Sequence, residues 1–242
     1  MRWRVAVGLG VVALLAALAA VGAESPRITV VDFGALTALI DLGQPYLLID
    51  ARIPETYRDG HLPTAINIPG YLFNHDDPIA ALPDDRDRIL ITYCSGGHCG
   101  VADFVGERLL DRGYRHVFVY QEGVEGWRAH GQLLITKRHE DLPTISKPDF
   151  VALVQAGSPI RVTDARSAVE FQGPTIPGAV SLPLDGCRAG GDRMPPSRDM
   201  LVVVYGQSRW DARPYHLADC LLGYGYQKVR VFAGGLADWQ RH

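Results

Sequence analysis

Four cysteines occur in the chain, and one of them stands where chemistry is favoured. Tyr93-Cys94-Ser95-Gly96-Gly97-His98-Cys99-Gly100 follows a run of strand formers, Ile89-Leu90-Ile91-Thr92-Tyr93. A helical pattern comes after it, with Val101, Phe104, Val105 and Leu109 on one face. Cys94 is therefore expected to end a buried strand, and a short glycine-rich loop leads on into a helix. Such a loop can curl with several N–H groups pointing inward. The helix start adds unpaired N–H groups and the positive end of its dipole. A thiolate is stabilised in that position, and the thiolate is the nucleophile. The plainer reading, a buried structural cysteine, does not account for Ser-Gly-Gly at a strand end.

Cys99 opens two other chemistries. A C-x4-C spacing allows a disulfide across the loop, with Cys99 resolving a persulfide or sulfenate on Cys94. That bond needs Cα atoms within about 7 Å. Cys94, His98 and Cys99 could instead be read as zinc ligands, but three ligands in one tight loop without a C-x2-C spacing fit zinc badly, and no metal or cofactor is expected. His98 is also readable as a solvated loop residue.

The elements that must position this loop recur. Asp50-Ala51-Arg52, Tyr57, Pro63, Ala65 and Pro69 return as Asp164-Ala165-Arg166, Phe171, Pro177, Ala179 and Pro183. Tyr93, Gly113-Tyr114, Val117, Val119, Gly123 and Trp127 return as Tyr205, Gly225-Tyr226, Val229, Val231, Gly235 and Trp239. The second copy is two residues shorter between Pro183 and Gly206. In the first copy the patterns predict helices over 33–42, 100–111 and 124–130, and strands over 46–50, 65–68, 89–93 and 117–120. Apolar strands without alternation, such as 89–92 and 201–204, mark a parallel sheet covered on both faces. Ligands of such sheets sit beyond the carboxyl ends of the strands, where Cys94 falls.

The loop and its surroundings resemble a rhodanese domain. Cys94 with Gly113-Tyr114, Val117, Val119, Gly123 and Trp127 resembles the active-site half. Asp50-Ala51-Arg52, Glu55, Tyr57, Gly60-His61-Leu62-Pro63, Ala65, Asn67 and Pro69 resemble the other half. The resemblance implies an α/β fold, here two tandem domains, each a small parallel sheet flanked by helices. It implies that Cys94 carries a sulfane sulfur as a persulfide, with Ser95, Gly96, Gly97, His98, Cys99 and Gly100 forming the substrate loop. A donor such as thiosulfate, or a small-molecule or protein persulfide, would load the sulfur, and a thiol or cyanide-like acceptor would remove it. Two departures stand out. Many rhodaneses carry an arginine or lysine in or at the end of this loop, and here His98 and Cys99 take that place. In the familiar tandem enzymes the second domain is active, whereas here Gly206 replaces the nucleophile in the second copy. A cysteine-phosphatase reading lacks its arginine clamp, because Gly100 follows where that residue would stand and the next arginine is Arg108.

Asp50-Arg52 recurs in the copy without chemistry, so the pair is expected to brace the fold. Trp127 and Trp239 are expected in the core, and His61 is expected to pack in a turn, with a general-base role as the other reading. Cys187 is expected in a loop over 185–192 and Cys220 on a helix, as a structural pair or two free thiols.

The chain begins Met1-Arg2-Trp3-Arg4, followed by an uncharged run from Val5 to Ala23. This reads as a secretory signal ending near Ala23, or as an uncleaved anchor, since bilayer spans need about 20 apolar residues. Either reading places the chain outside the cytoplasm, in the periplasm or attached to a membrane facing it through residues 5–23. The expected organisation is a leader over 1–23, an active domain over 28–135, a charged linker over 136–143 and an inactive domain over 144–242. A formal net charge of -3 gives no basic excess to favour nucleic acid. Two rival functions remain open: thiol–disulfide exchange through Cys94 and Cys99, and a non-catalytic binding module.

Overall fold

A computed structural model describes residues 27–97 and 99–241. The expected leader over 1–23 and His98 lie outside the described residues. The chain forms two compact units. One holds the residues up to Arg58 together with Thr64–Gly131. The other holds Asp59–Pro63 and the residues from Gln132 onward.

In the first unit the elements are β1 (Thr29–Val31), α1 (Phe33–Asp41), β2 (Tyr46–Asp50), α2 (Pro54–Asp59), β3 (Ile66–Asn67), a 3-10 turn (Gly70–Phe73), β4 (Ile89–Tyr93), α3 (Val101–Asp111), β5 (His116–Tyr120) and α4 (Gly123–Ala129). The strands lie in the order β1-β5-β4-β2-β3, and every pairing is parallel. β4 is central, and all five of its residues are buried, which is why its sequence shows no alternation. Ile49, Leu90, Val105, Leu109, Tyr114 and Val117 form a core cluster between sheet and α3. The Asp32 carboxylate accepts from Ala35 N at 2.8 Å and starts α1. Phe33 of α1 then meets Trp127 of α4 edge-on at 5.5 Å, and Trp127 is a core residue as expected.

The second unit repeats the plan with α5 (Lys137–Glu140), α6 (Lys147–Gln155), β6 (Ile160–Asp164), α7 (Ala168–Phe171), β7 (Val180–Ser181), α8 (Leu184–Ala189), β8 (Leu201–Tyr205), α9 (Arg213–Gly223), β9 (Val229–Phe232) and α10 (Gly235–Gln240). Its parallel strands run β7-β6-β8-β9. Val202 and Val204 belong to one core cluster and Val203 and Tyr205 to another, so β8 packs on both faces. Trp239 is half-buried against Phe150 at 5.1 Å.

Some details differ from the sequence reading. β1 and α2, of three and six residues, were not foreseen. The charged stretch over 136–143 contains α5, capped by Thr136, whose N–H donates to His139 Nδ1 at 3.0 Å. Cys187 lies on helix α8, not in a loop. Val101 points outward, and the buried face of α3 runs through Ala102, Val105, Gly106 and Leu109 instead.

Candidate active site

Cys94 leaves the sheet at its centre, directly after Tyr93, which pairs with Asp50 on one side and Tyr120 on the other. Its residue is buried, while Ser95 and Gly97 beside it are exposed. The loop is held from one side by α4. Val124 N donates to Cys94 O at 3.1 Å and Glu125 N to Ser95 O at 2.8 Å. Because each peptide is planar and trans, the N–H groups of Ser95 and Gly96 face the opposite way, into the loop. Gly123 makes this approach possible. It has φ 57°, and any side chain on it would overlap the Cys94 carbonyl oxygen. From the other side, the Thr92 hydroxyl donates to Ala102 O at 2.9 Å, tying β4 to the first turn of α3. No side chain caps that turn at Gly100, so its N–H groups remain available.

The loop closes on itself covalently. Cys94 and Cys99 form a disulfide with Cα atoms 6.3 Å apart. Cys99 is half-buried. The sequence allowed this bond without requiring it.

One neighbour was missed. The carboxylate of Glu125 lies over Gly96, close enough that a side chain on Gly96 would collide with it. In sequence Glu125 is an ordinary residue of a helix start, and only the α4–loop contact reveals its place.

Asp50 and Arg52 form a brace. Arg52 Nη2 lies 2.6 Å from Asp50 Oδ2, and its backbone N–H also donates to Asp50 Oδ1 at 3.0 Å. Burial pulls the guanidinium pKa down, but Asp50 outweighs it and the net shift is upward. Arg166 and Asp164 repeat the geometry at 2.7 Å. His61 is fully buried with Nε2 3.1 Å from Glu140 Oε1, which fits packing and not a free base.

The second unit keeps the scaffold of the loop and fills it. Leu236 N donates to Gly206 O and Ala237 N to Gln207 O, both at 2.9 Å, matching the α4 contacts above. Gly235, with φ 62°, takes the part of Gly123. Inside the loop stands the carboxylate of Asp211, buried and 2.7 Å from Gln207 N. A side chain at Gly206 would overlap it. Arg213 clamps Asp211 at 2.7 Å and reaches Glu170 at 2.7 Å. Burial alone would raise the Glu170 pKa, but hydrogen bonds from Arg213 and Ser167 outweigh it and bring it to about 2. Cys187 and Cys220 are joined by a disulfide, Cα atoms 6.5 Å apart; neither stands at the loop.

Two copies of one strand–loop–helix arrangement in succession decide the family. The model of the Rhodanese-like domain matches residues 34–130 and again 146–242. The chain belongs to the rhodanese family. Among curated relatives, a sulfurtransferase of Allochromatium vinosum is 27% identical over 42% of this chain and 89% of its own length. An HTH-type transcriptional regulator of Mycobacterium tuberculosis is 38% identical over 35% of each chain. A solved thiosulfate sulfurtransferase of Pseudomonas aeruginosa is 24% identical, with TM-score 0.40, over 88% of this chain and 42% of that one. The match to the regulator thus spans about a third of that protein, and the match to the solved structure less than half of it.

Proposed function

We propose that this rhodanese is an extracytoplasmic sulfurtransferase that carries a sulfane sulfur as a persulfide on Cys94. The observation that supports it is the placement of Cys94 at the carboxyl end of the central strand, beside the Ser95 and Gly96 N–H groups that point away from α4 and just ahead of the uncapped first turn of α3. Those donors stabilise a thiolate, and then the terminal sulfur of a persulfide, without any further charged group. The Cys94 thiolate attacks the outer sulfur of a donor. With thiosulfate, an S–S bond forms to Cys94, the donor S–S bond breaks, and sulfite leaves with the electron pair. An acceptor thiolate or cyanide then takes the outer sulfur and returns the Cys94 thiolate. The apolar run over 5–23 supports an extracytoplasmic site.

The Cys94–Cys99 disulfide favours a second reading, thiol–disulfide exchange. In the sulfurtransferase reading this bond is a resting oxidised form, opened when an external dithiol is oxidised and both cysteines are reduced. Intact mass before and after donor separates the two. A sulfurtransferase gains one sulfur atom in the reduced wild type and in Cys99→Ser, and none in Cys94→Ser. If reduced wild type takes up no sulfur, and a Cys94–Cys99 disulfide cycles with a thiol reductant and is lost in both variants, exchange replaces transfer.

A further inference from the structure

The surroundings of the Cys94 loop do not suit a small dianion. No lysine or arginine occurs from Ser95 to Gly100, and the Glu125 carboxylate overhangs Gly96. Glu125 is exposed and forms no ion pair among the described residues, so its carboxylate leaves a negative charge beside the loop at Gly96. It repels thiosulfate and attracts a cation.

Beside the loop lies an apolar collar. Val101, the first residue of α3, is 40% exposed, and Tyr71, Leu72 and Ile53 are 54%, 42% and 51% exposed. Contacts through Gly70 bring the three segments that carry them together. Val101 presses on Gly70 so closely that a side chain there would overlap it. Gly70 opens the 3-10 turn that carries Tyr71 and Leu72. Gly70 N also donates to Ala51 O at 2.9 Å, which places the turn against the strand end leading to Ile53. Exposed large apolar groups gathered at one place mark a contact surface, and this one adjoins a reactive cysteine. A small anion gains nothing from it.

We propose that Cys94 is loaded by a persulfide borne on a cysteine of another protein, whose apolar side chains dock on Ile53, Tyr71, Leu72 and Val101 and whose basic residue pairs with Glu125. The proposal rests on the reading of Cys94 as a sulfur carrier and names its donor. In the step, the Cys94 thiolate attacks the outer sulfur of the partner's persulfide. The bond from that sulfur to the partner breaks, and the partner's thiolate leaves with the pair and with no net oxidation.

The test uses the full, reduced protein and two donors: thiosulfate, and a synthetic decapeptide cysteine persulfide flanked by arginine and leucine. The double variant Tyr71→Ser/Leu72→Ser lowers kcat/KM for the peptide by about tenfold, through KM, and changes thiosulfate by less than about twofold. Glu125→Gln lowers the peptide rate by about threefold or more and raises the thiosulfate rate, and both shifts shrink in high salt. Calorimetric titration of Cys94→Ser with the peptide lacking its added sulfur shows binding that the collar substitutions weaken, and unfolding midpoints check that each variant is folded. Equal effects on both donors, or no effect of the collar variant on the peptide, overturn the proposal. Wild type loaded by thiosulfate but not by the peptide also sinks it, while leaving sulfur transfer standing. Wild type loaded by neither sinks both.

Discussion

Gly206 lacks more than a sulfur atom. The position is occupied, because the Asp211 carboxylate fills the space that a side chain would need, and Arg213 holds that carboxylate in place. Restoring the thiol alone therefore adds a group to a full site. Gly206→Cys is expected to gain no sulfur from donor and to destabilise the second unit by about 1–3 kcal/mol, the usual cost of overpacking. Gly206→Cys/Asp211→Gly frees the space at the loop, though it leaves Arg213 without that partner, and yields a thiol that iodoacetamide alkylates. Sulfur uptake by the single variant, read by intact mass in a Cys94→Ser background, would show that the carboxylate is no obstacle. At this scale the sequence was informative for Cys94 and silent on Asp211 and Glu125. Cys94 is marked by its place between a strand and a helix. The two carboxylates act through contacts with Gly206 and Gly96 that no spacing announces.

The long, strongly patterned elements were legible in sequence, and β1 and α2 were not. β4 and α3 are long and strongly patterned, and their junction is where Cys94 lies. β1 holds its place by pairing with β5, a long-range contact that three residues cannot advertise. In α8 the glycine-rich composition suggested a loop, but Cys187 N donates to Pro183 O at 3.0 Å and the segment coils. Cys187 is then buried and bonded to Cys220 of α9. The bond links residues 33 apart, so it removes considerable freedom from the unfolded chain. Cys220→Ser is expected to lower the stability of the second unit by about 2–4 kcal/mol under oxidising conditions and to change little in reductant. Chemical denaturation with and without dithiothreitol measures this, and an equal loss in both conditions would assign the cost to packing instead.

Over the whole molecule the repeat was the most readable feature, because Asp-Ala-Arg and Gly-Tyr return in register and each return is a strand end or a turn. The path of the chain was less readable. Asp59–Pro63 belongs by contact to the second unit, although its Gly-His-Leu-Pro motif lies within the first repeat. There His61 pairs with Glu140, next to His139, whose ring stands 4.3 Å from that of His216. Burial, then His216, push the His139 pKa down to about 4. Its Nδ1 must also stay unprotonated to accept from Thr136 N. The folded state therefore holds the neutral ring, while the unfolded chain protonates near pH 6.5. Stability from this group is full above pH 6.5 and is lost as the pH falls from there towards about 4, by on the order of 2 kcal/mol. His139→Asn keeps an acceptor without the titration. Unfolding midpoints between pH 7.5 and pH 4 should fall less steeply in the variant, and parallel curves would remove His139 from the account.

The Asp211 carboxylate makes the second loop a receptor tethered to its own ligand. Tethering presents that group at an effective concentration of at least about the millimolar range, and here it is held at 2.7 Å from Gln207 N across a short span. Such a receptor is saturated in every solution, so mass action gives free sulfate, thiosulfate or phosphate no hold on it. The state of the second loop is set once, when the chain folds.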